Sequence, residues 1–284
     1  MGAVRCHIRG TEPEGRQGGG VRAARALATL DEVEPRDHVC WLMGTAAAFP
    51  GDARAYVADG ALYGDKIVVV GAARAGKDTF LPSAAVVLDF PSLARGDVVA
   101  AVRREARTAA RQGYRSVRVL AERIPVGEPG AAHDLLSQEL ALDEFAAECG
   151  AMVVCAFRPS QWEAHTLEYV ASVHPHELGR RAERPAFRMF STGADSWSVD
   201  GVIDSQGAAV FHAAVRAAVR HTPQVRLRFD HLEMIDAAGM QALVEAAHHL
   251  PGRHIVVEGA NQIVRLCWEL AGYAAPGVPV VMAV

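Results

Sequence analysis

The sequence predicts an α/β fold in two domains. The first is a mostly parallel sheet flanked by helices, and the second is a smaller α/β unit. Three observations carry this expectation. A chain of 284 residues is long enough for two cores of ordinary size. Short β-branched runs alternate with longer helical stretches along nearly all of it, as they do in parallel α/β sheets. The alternation pauses at RRAERPAFRMF, where Pro185 marks a linker.

In order, the first domain reads HVCWLM, a helix around 46 to 63, KIVVVG, AAVVLDF, a helix from 97 to 112, SVRVLA, a helix from 131 to 149, MVVCAF and a helix around 161 to 173. It is bounded at 31–184, after a flexible, Gly-rich lead-in over 1–30 in which RAARALATL reads as a short helix. The second domain, 187–284, reads as strands FRMF and WSVDGVI, a helix from 205 to 220, strand QVRLRFD, a helix from 237 to 250, strand HIVVEGA, a helix from 261 to 272 and a last strand VPVVMA. Met240, Leu243, Val244, Ala247 and Leu250 recur at helical spacing, so one stripe of that helix faces the sheet.

Composition removes several function classes. Hydrophobic residues make up 50% and charged residues 22%, an ordinary balance for a folded protein. The formal net charge of -4 offers no general attraction to nucleic acid or anionic lipid. Arg103, Arg107 and Arg111 form a basic stripe on one helix, which reads as a solvated face. No apolar run approaches the roughly 20 residues that span a bilayer, and the N-terminus lacks the apolar core of a signal peptide, so a cytoplasmic protein is expected. The five cysteines, Cys6, Cys40, Cys149, Cys155 and Cys267, are odd in number and have no CxxC spacing, so they read as reduced thiols.

Two candidate sites lie in the first domain. The octet GAARAGKD follows strand KIVVVG and spells G-x-x-x-x-G-K, with Gly71, Gly76 and Lys77 in place and Asp89 ending a strand of Walker B type. Asp78, however, stands where a magnesium-binding hydroxyl belongs, Pro82 stops a following helix, and the run to Asp89 is too short for a crossover of roughly a dozen residues. A turn is therefore favoured over an ATP site, with nucleotide binding kept as the alternative function. His38 and Cys40, two apart on one strand, share a face, and Cys155 on another strand offers a third group, a candidate effector or sensor site. With too few ligands visible, no metal or cofactor is assigned. The stretch contains no G-x-S-x-G, HExxH or dinucleotide fingerprint, so catalysis is not expected.

The most informative stretch is RLRFDHLEMIDAAGMQALVEAA, where Asp236 is placed to cap a helix opening with Ala237, Ala238, Gly239 and Met240. With DGVID ending at Asp204 and GANQIVRLCWELAG further on, residues 187 to 284 resemble the STAS domain of anti-sigma-factor antagonists. In that family the loop (I/M)-D-S-x-G-(L/M) docks on an anti-sigma factor or GHKL-type regulatory kinase, and its Ser or Thr is the phosphorylation site. The resemblance implies a partner surface of Asp204, Asp236, Ala237, Ala238, Gly239 and Met240. Ala237 occupies the phosphosite position and cannot carry a phosphate. Ser205, in the second D-S-x-G at 204 to 207, reads as an N-cap.

DHVCWL, GDKIVVVG, GYRSVRV, VCAFR and HPH make the first domain similar to the MEDS sensory family. That resemblance implies a RecA-like or KaiC-like sheet without catalysis, and a small-molecule effector. Together the two resemblances imply a signalling regulator in which a ligand- or redox-sensing domain controls a STAS domain, with homodimerisation left open.

Overall fold

The structure, a computed structural model, describes residues 22–44, 51, 53–71, 81–82, 85–88, 98–125, 131–179, 184–219, 224–248 and 254–283. It contains two compact units, one built on each of two sheets.

The first sheet comprises β1 (Arg25–Leu27), β2 (His38–Leu42), β3 (Lys66–Val70), β4 (Val86–Leu88), β5 (Val117–Arg123), β6 (Met152–Phe157) and β7 (His176–Leu178). Every pairing is parallel, in the order β1-β7-β2-β6-β5-β3-β4. All five residues of β2 and of β3 and all six of β6 are buried. That is the pattern of strands covered on both faces, and it explains why these stretches read as continuous apolar runs. Helix α1 (Arg54–Leu62) sets Tyr56 and Val57 among Val39, Trp41, Ile67, Val69, Leu120 and Val154 on one face. On the other face, α2 (Val98–Gln112) packs on β3 and β5 and buries Ala101, Val102, Ala106 and Ala109. The next helices are α3 (Ala131–Cys149) and α4 (Ala164–Ser172).

Buried charge ties this framework together. The Asp65 carboxylate, fully buried, accepts from Arg118 Nε at 2.9 Å and Arg115 Nε at 3.1 Å. Arg118 also donates to the Tyr56 carbonyl at 3.0 Å and lies over the Tyr56 ring. Removing one partner of such a cluster leaves an uncompensated charge, at a cost of about 3–5 kcal/mol. Arg103 of the basic stripe is not simply solvated, because it donates to Glu148 of α3 at 3.1 Å.

The second sheet holds β8 (Phe187–Gly193), β9 (Ser196–Ile203), β10 (Gln224–Arg228), β11 (Leu232–Ile235), β12 (His254–Glu258) and β13 (Val280–Met282). β8 and β9 form an antiparallel hairpin, and the remaining pairings are parallel, in the order β11-β9-β10-β12-β13. Burial alternates along β10, so this sheet is covered on one face. Helices α5 (Ala208–Val219) and α6 (Ala237–His248) pack together over it, and α7 (Gln262–Leu270) follows β12. Phe187 and Phe211 meet edge to face at 5.6 Å in the core.

Three expectations are corrected. RAARALATL does not form a helix; Arg25–Leu27 is a strand because its backbone pairs with β7, Arg25 opposite His176, and tertiary pairing overrides helix propensity. The two short strands β7 and β11 were not anticipated, since three or four residues leave too little pattern to read. Ser205 is not the cap before α5. The Asp204 side chain accepts from the Gln206 and Gly207 amides instead, at 3.0 and 2.9 Å.

Gly201, at φ 95°, lets β9 pass the β8 backbone; a Cβ there would stand 2.4 Å from the Ala186 carbonyl oxygen. Gly201→Val combines that clash with a left-handed backbone. It is expected to lower unfolding free energy by about 2–3 kcal/mol in urea denaturation, whereas Asp195→Gly, at the φ 57° position of the adjacent turn, leaves it nearly unchanged.

Candidate functional site

The start of α6 is built by the ends of two neighbouring strands. Ile203 of β9 and Ile235 of β11 are register partners, so Asp204 and Asp236, each the next residue, leave the sheet side by side. Asp236 Oδ1 accepts from the Gly239 amide at 2.9 Å, the capping bond that the sequence places there. Its own amide donates to the Ile203 carbonyl at 3.0 Å, which fixes the helix to β9. Gly239 is required by closeness: an added Cβ would lie 2.7 Å from both Ile203 Cγ2 and Ile235 Cγ1. Ala237 is exposed, Asp236 and Ala238 are half-buried, and Gly239 and Met240 are buried. The surface offered at this corner is therefore Asp204, Asp236, Ala237 and Ala238, while Met240 belongs to the core beneath. Ala237 presents only a methyl group. Near it, Met234 is 46% exposed.

In the first unit, β2 and β6 place His38, Cys40 and Cys155 on one face of the sheet, since Cys40 is the register partner of Cys155. All three are fully buried, so they are groups of the interior and not of an open pocket. His38 Nε2 lies 3.5 Å from Cys155 Sγ, and His38 Nδ1 lies 3.5 Å from Asp143 Oδ1. Asp143 in turn accepts from Arg22 at 2.8 Å. Burial alone would raise the Asp143 carboxyl, but Arg22 and His38 outweigh it and pull it down to about 2, so it is an anion inside the protein. Asp37, the first residue of DHVCWL, is held similarly. Burial opposes its ionisation, yet His176 at 2.9 Å, the Glu34 amide and Arg25 keep its carboxyl below the usual range.

The sequence reading reached His38 and Cys155 but missed Asp143, which faces His38. A readable sign existed: Glu139 and Asp143 interrupt the apolar stripe of α3 one turn apart.

An open cleft of about 650 Å³ lies elsewhere, at the carboxyl ends of β1, β2, β6 and β7. Trp41, Met43 and Leu178 form its apolar floor, and Thr29, Arg158 and Ser160 its polar groups. In open parallel sheets, ligands bind outside the carboxyl ends of the strands. Gly71 directly follows β3, which lies three positions away from β2 in the sheet. Gly76, Lys77 and Asp89 lie outside the described residues.

Comparison with known families decides the assignment. Residues 37–175 match the model of the MEDS domain, the methanogen/methylotroph, DcmR sensory domain, and residues 191–279 match a STAS domain model described as Mlab, STAS domain. Residues 37–175 are a MEDS domain and residues 191–279 a STAS domain. Two solved structures similar to the STAS part are the anti-sigma factor antagonist SpoIIAA in its unphosphorylated form and the Bacillus cell fate determinant SpoIIAA in the phosphorylated form. Their identities are 13% and 14% and their TM-scores 0.28 and 0.27. Each match covers 35% of this chain, and 88% and 92% of the other chain respectively. No curated protein matches the chain. Among the described residues, no helix of this MEDS–STAS protein is long and apolar enough to cross a membrane.

Asp236→Ala removes the α6 cap of the STAS domain. Thermal or urea unfolding is expected to show a loss of about 1 kcal/mol, with most of it restored in Asp236→Asn, since asparagine caps equally well.

Proposed function

We propose that this chain is a non-catalytic, cytoplasmic regulator in which the MEDS domain takes a signal and the STAS domain docks on an anti-sigma factor or a related GHKL-type kinase. The docking surface is the corner formed by Asp204, Asp236, Ala237 and Ala238, supported by the packed start of α6. The observation that carries this reading is the exposed Ala237 at a helix start whose cap and glycine are both in place. The shape of the docking loop is kept and the hydroxyl that a kinase would modify is missing.

A phosphate at this position would add nearly two negative charges beside Asp236. Ala237 prevents that, so docking is governed from the MEDS side and not by phosphorylation. The cleft over Trp41 and Met43, with Arg158 at its edge, supports a small organic effector as the controlling input. Nucleotide binding through Lys77 concerns residues outside the described ones.

Two substitutions test the surface, using purified GHKL-type anti-sigma factors in a binding assay. Ala237→Asp introduces a fixed negative charge and is expected to weaken binding at least about tenfold, about 1.4 kcal/mol. Ala237→Ser is expected to bind as the parent does and, with ATP, to become phosphorylated and then released. Equal binding by the parent and the Asp variant would place the docking surface elsewhere.

A further inference from the structure

The last helix of the STAS domain carries an apolar strip on its outer face. Asn261 caps α7 by accepting from the Val264 amide at 3.0 Å, and Val264 and Trp268, one turn apart, bury the inner face of the helix in the core. Trp268 also packs against Tyr273, with ring centroids 4.9 Å apart. On the outer face Ile263, Leu266 and Leu270 are 74%, 54% and 78% exposed, and Cys267 is exposed among them. Spacings of three and four join these residues into one strip along the helix. We propose that this strip is the seam of a homodimer, in which α7 of one copy pairs antiparallel with α7 of a second.

The three large side chains together expose roughly 400 Å² of mostly apolar surface, a size at which monomeric proteins usually keep an interaction site. A standard interface takes about 800 Å² from each partner, so a seam built on this strip is weak and its dimer depends on concentration. The spacing is self-complementary. Ile263 and Leu270 lie equally far from the midpoint between Leu266 and Cys267. Two helices turned head to tail about a two-fold axis at that midpoint set Ile263 of each copy against Leu270 of the other and bring the two Cys267 residues close to the axis. Covered there, a thiol packs as a small apolar group.

Charge selects this occupant and this direction. Arg265, the basic residue of α7, is turned back onto the backbone, donating to the Ala260 carbonyl at 2.9 Å and to the Ala283 carbonyl. Glu269 is exposed at the flank of the strip. An acidic peptide or an anionic lipid surface approaching α7 would therefore meet a carboxylate, whereas a second apolar strip fits. Parallel pairing would bring the two Glu269 carboxylates side by side. Antiparallel pairing carries them to opposite ends and sets the two helix dipoles in the favourable sense.

The test uses the full chain. Sedimentation velocity from about 1 to about 100 μM is expected to show a monomer giving way to a dimer as concentration rises. Leu270→Glu and Ile263→Glu each place a carboxylate in the seam. Each is expected to raise the dimer dissociation constant at least about tenfold, with the melting temperature of the dilute protein unchanged because both side chains are exposed in the monomer. The milder Leu266→Gln should act in the same direction. In a Cys6→Ser background a short bismaleimide is expected to link two chains through Cys267; Cys267→Ser should abolish the product, and Leu270→Glu should reduce it with the thiol still present. A parent that stays monomeric throughout, or a dimer that forms equally well in Ile263→Glu and Leu270→Glu, overturns the proposal. A monomeric parent whose Cys267 resists maleimide overturns it in favour of another segment of the chain as the cover. These readouts concern self-association alone, so they are independent of whether the start of α6 docks on an anti-sigma factor.

Discussion

A strand in the middle of a parallel sheet has no wet side, and most of the MEDS domain follows from that constraint. β2 lies between β7 and β6 with every residue buried, so each polar group on it must find its partners inside. Asp37 at its entrance is met by Arg25, His176 and the Glu34 amide. His38, one residue on, meets Asp143 and Cys155. A hydrophobic strand in the same place would need none of these partners. Burying so many ionisable groups in a sheet interior adds no stability of its own, because apolar residues of similar volume would give equal or greater stability.

The STAS domain solves a different problem. Its sheet is covered on one side, and the corner at the start of α6 lies where two adjacent strands end together. Asp204 and Asp236 occupy equivalent positions after β9 and β11, and each accepts amide hydrogens from the start of the helix that follows. Under the proposed function, the same carboxylates that hold the corner rigid are part of the surface a partner touches. Rigidity is expected of a recognition loop in which one exposed side chain at a fixed position decides the outcome.

The order of elements was legible because long strands of valine and isoleucine and long amphipathic helices carry strong periodicity. Helix 131–149 and strands 152–157, 187–193 and 254–258 fall where the pattern puts them. β1, β7 and β11 were not legible. A strand of three or four residues is defined by its neighbour's backbone, which a linear pattern does not contain. For the site, the helix cap at Asp236 is local in sequence and was readable. His38 and Cys155 were readable as sheet-face neighbours. Glu139 and His174 come from separate helical regions, and only the folded chain brings them within 3.4 Å of each other. Asp204 was recognised as a surface residue, but its role as the cap was assigned to Ser205; choosing between two adjacent cap formers depends on backbone angles that composition does not encode.

Under the proposed function, the methyl group at Ala237 also changes the thermodynamic type of the switch. A phosphorylated antagonist is driven around a cycle by ATP, so its state can be held far from equilibrium and its lifetime is set by a kinase and a phosphatase. A chain with no acceptor hydroxyl at position 237 consumes no nucleotide to change state there. Its response is bounded by the difference in affinity that an input has for the two conformations, and moving a population from 1:99 to 99:1 demands roughly a 10⁴-fold preference. Such a device recovers as fast as its input dissociates, and it keeps no memory once the input has gone.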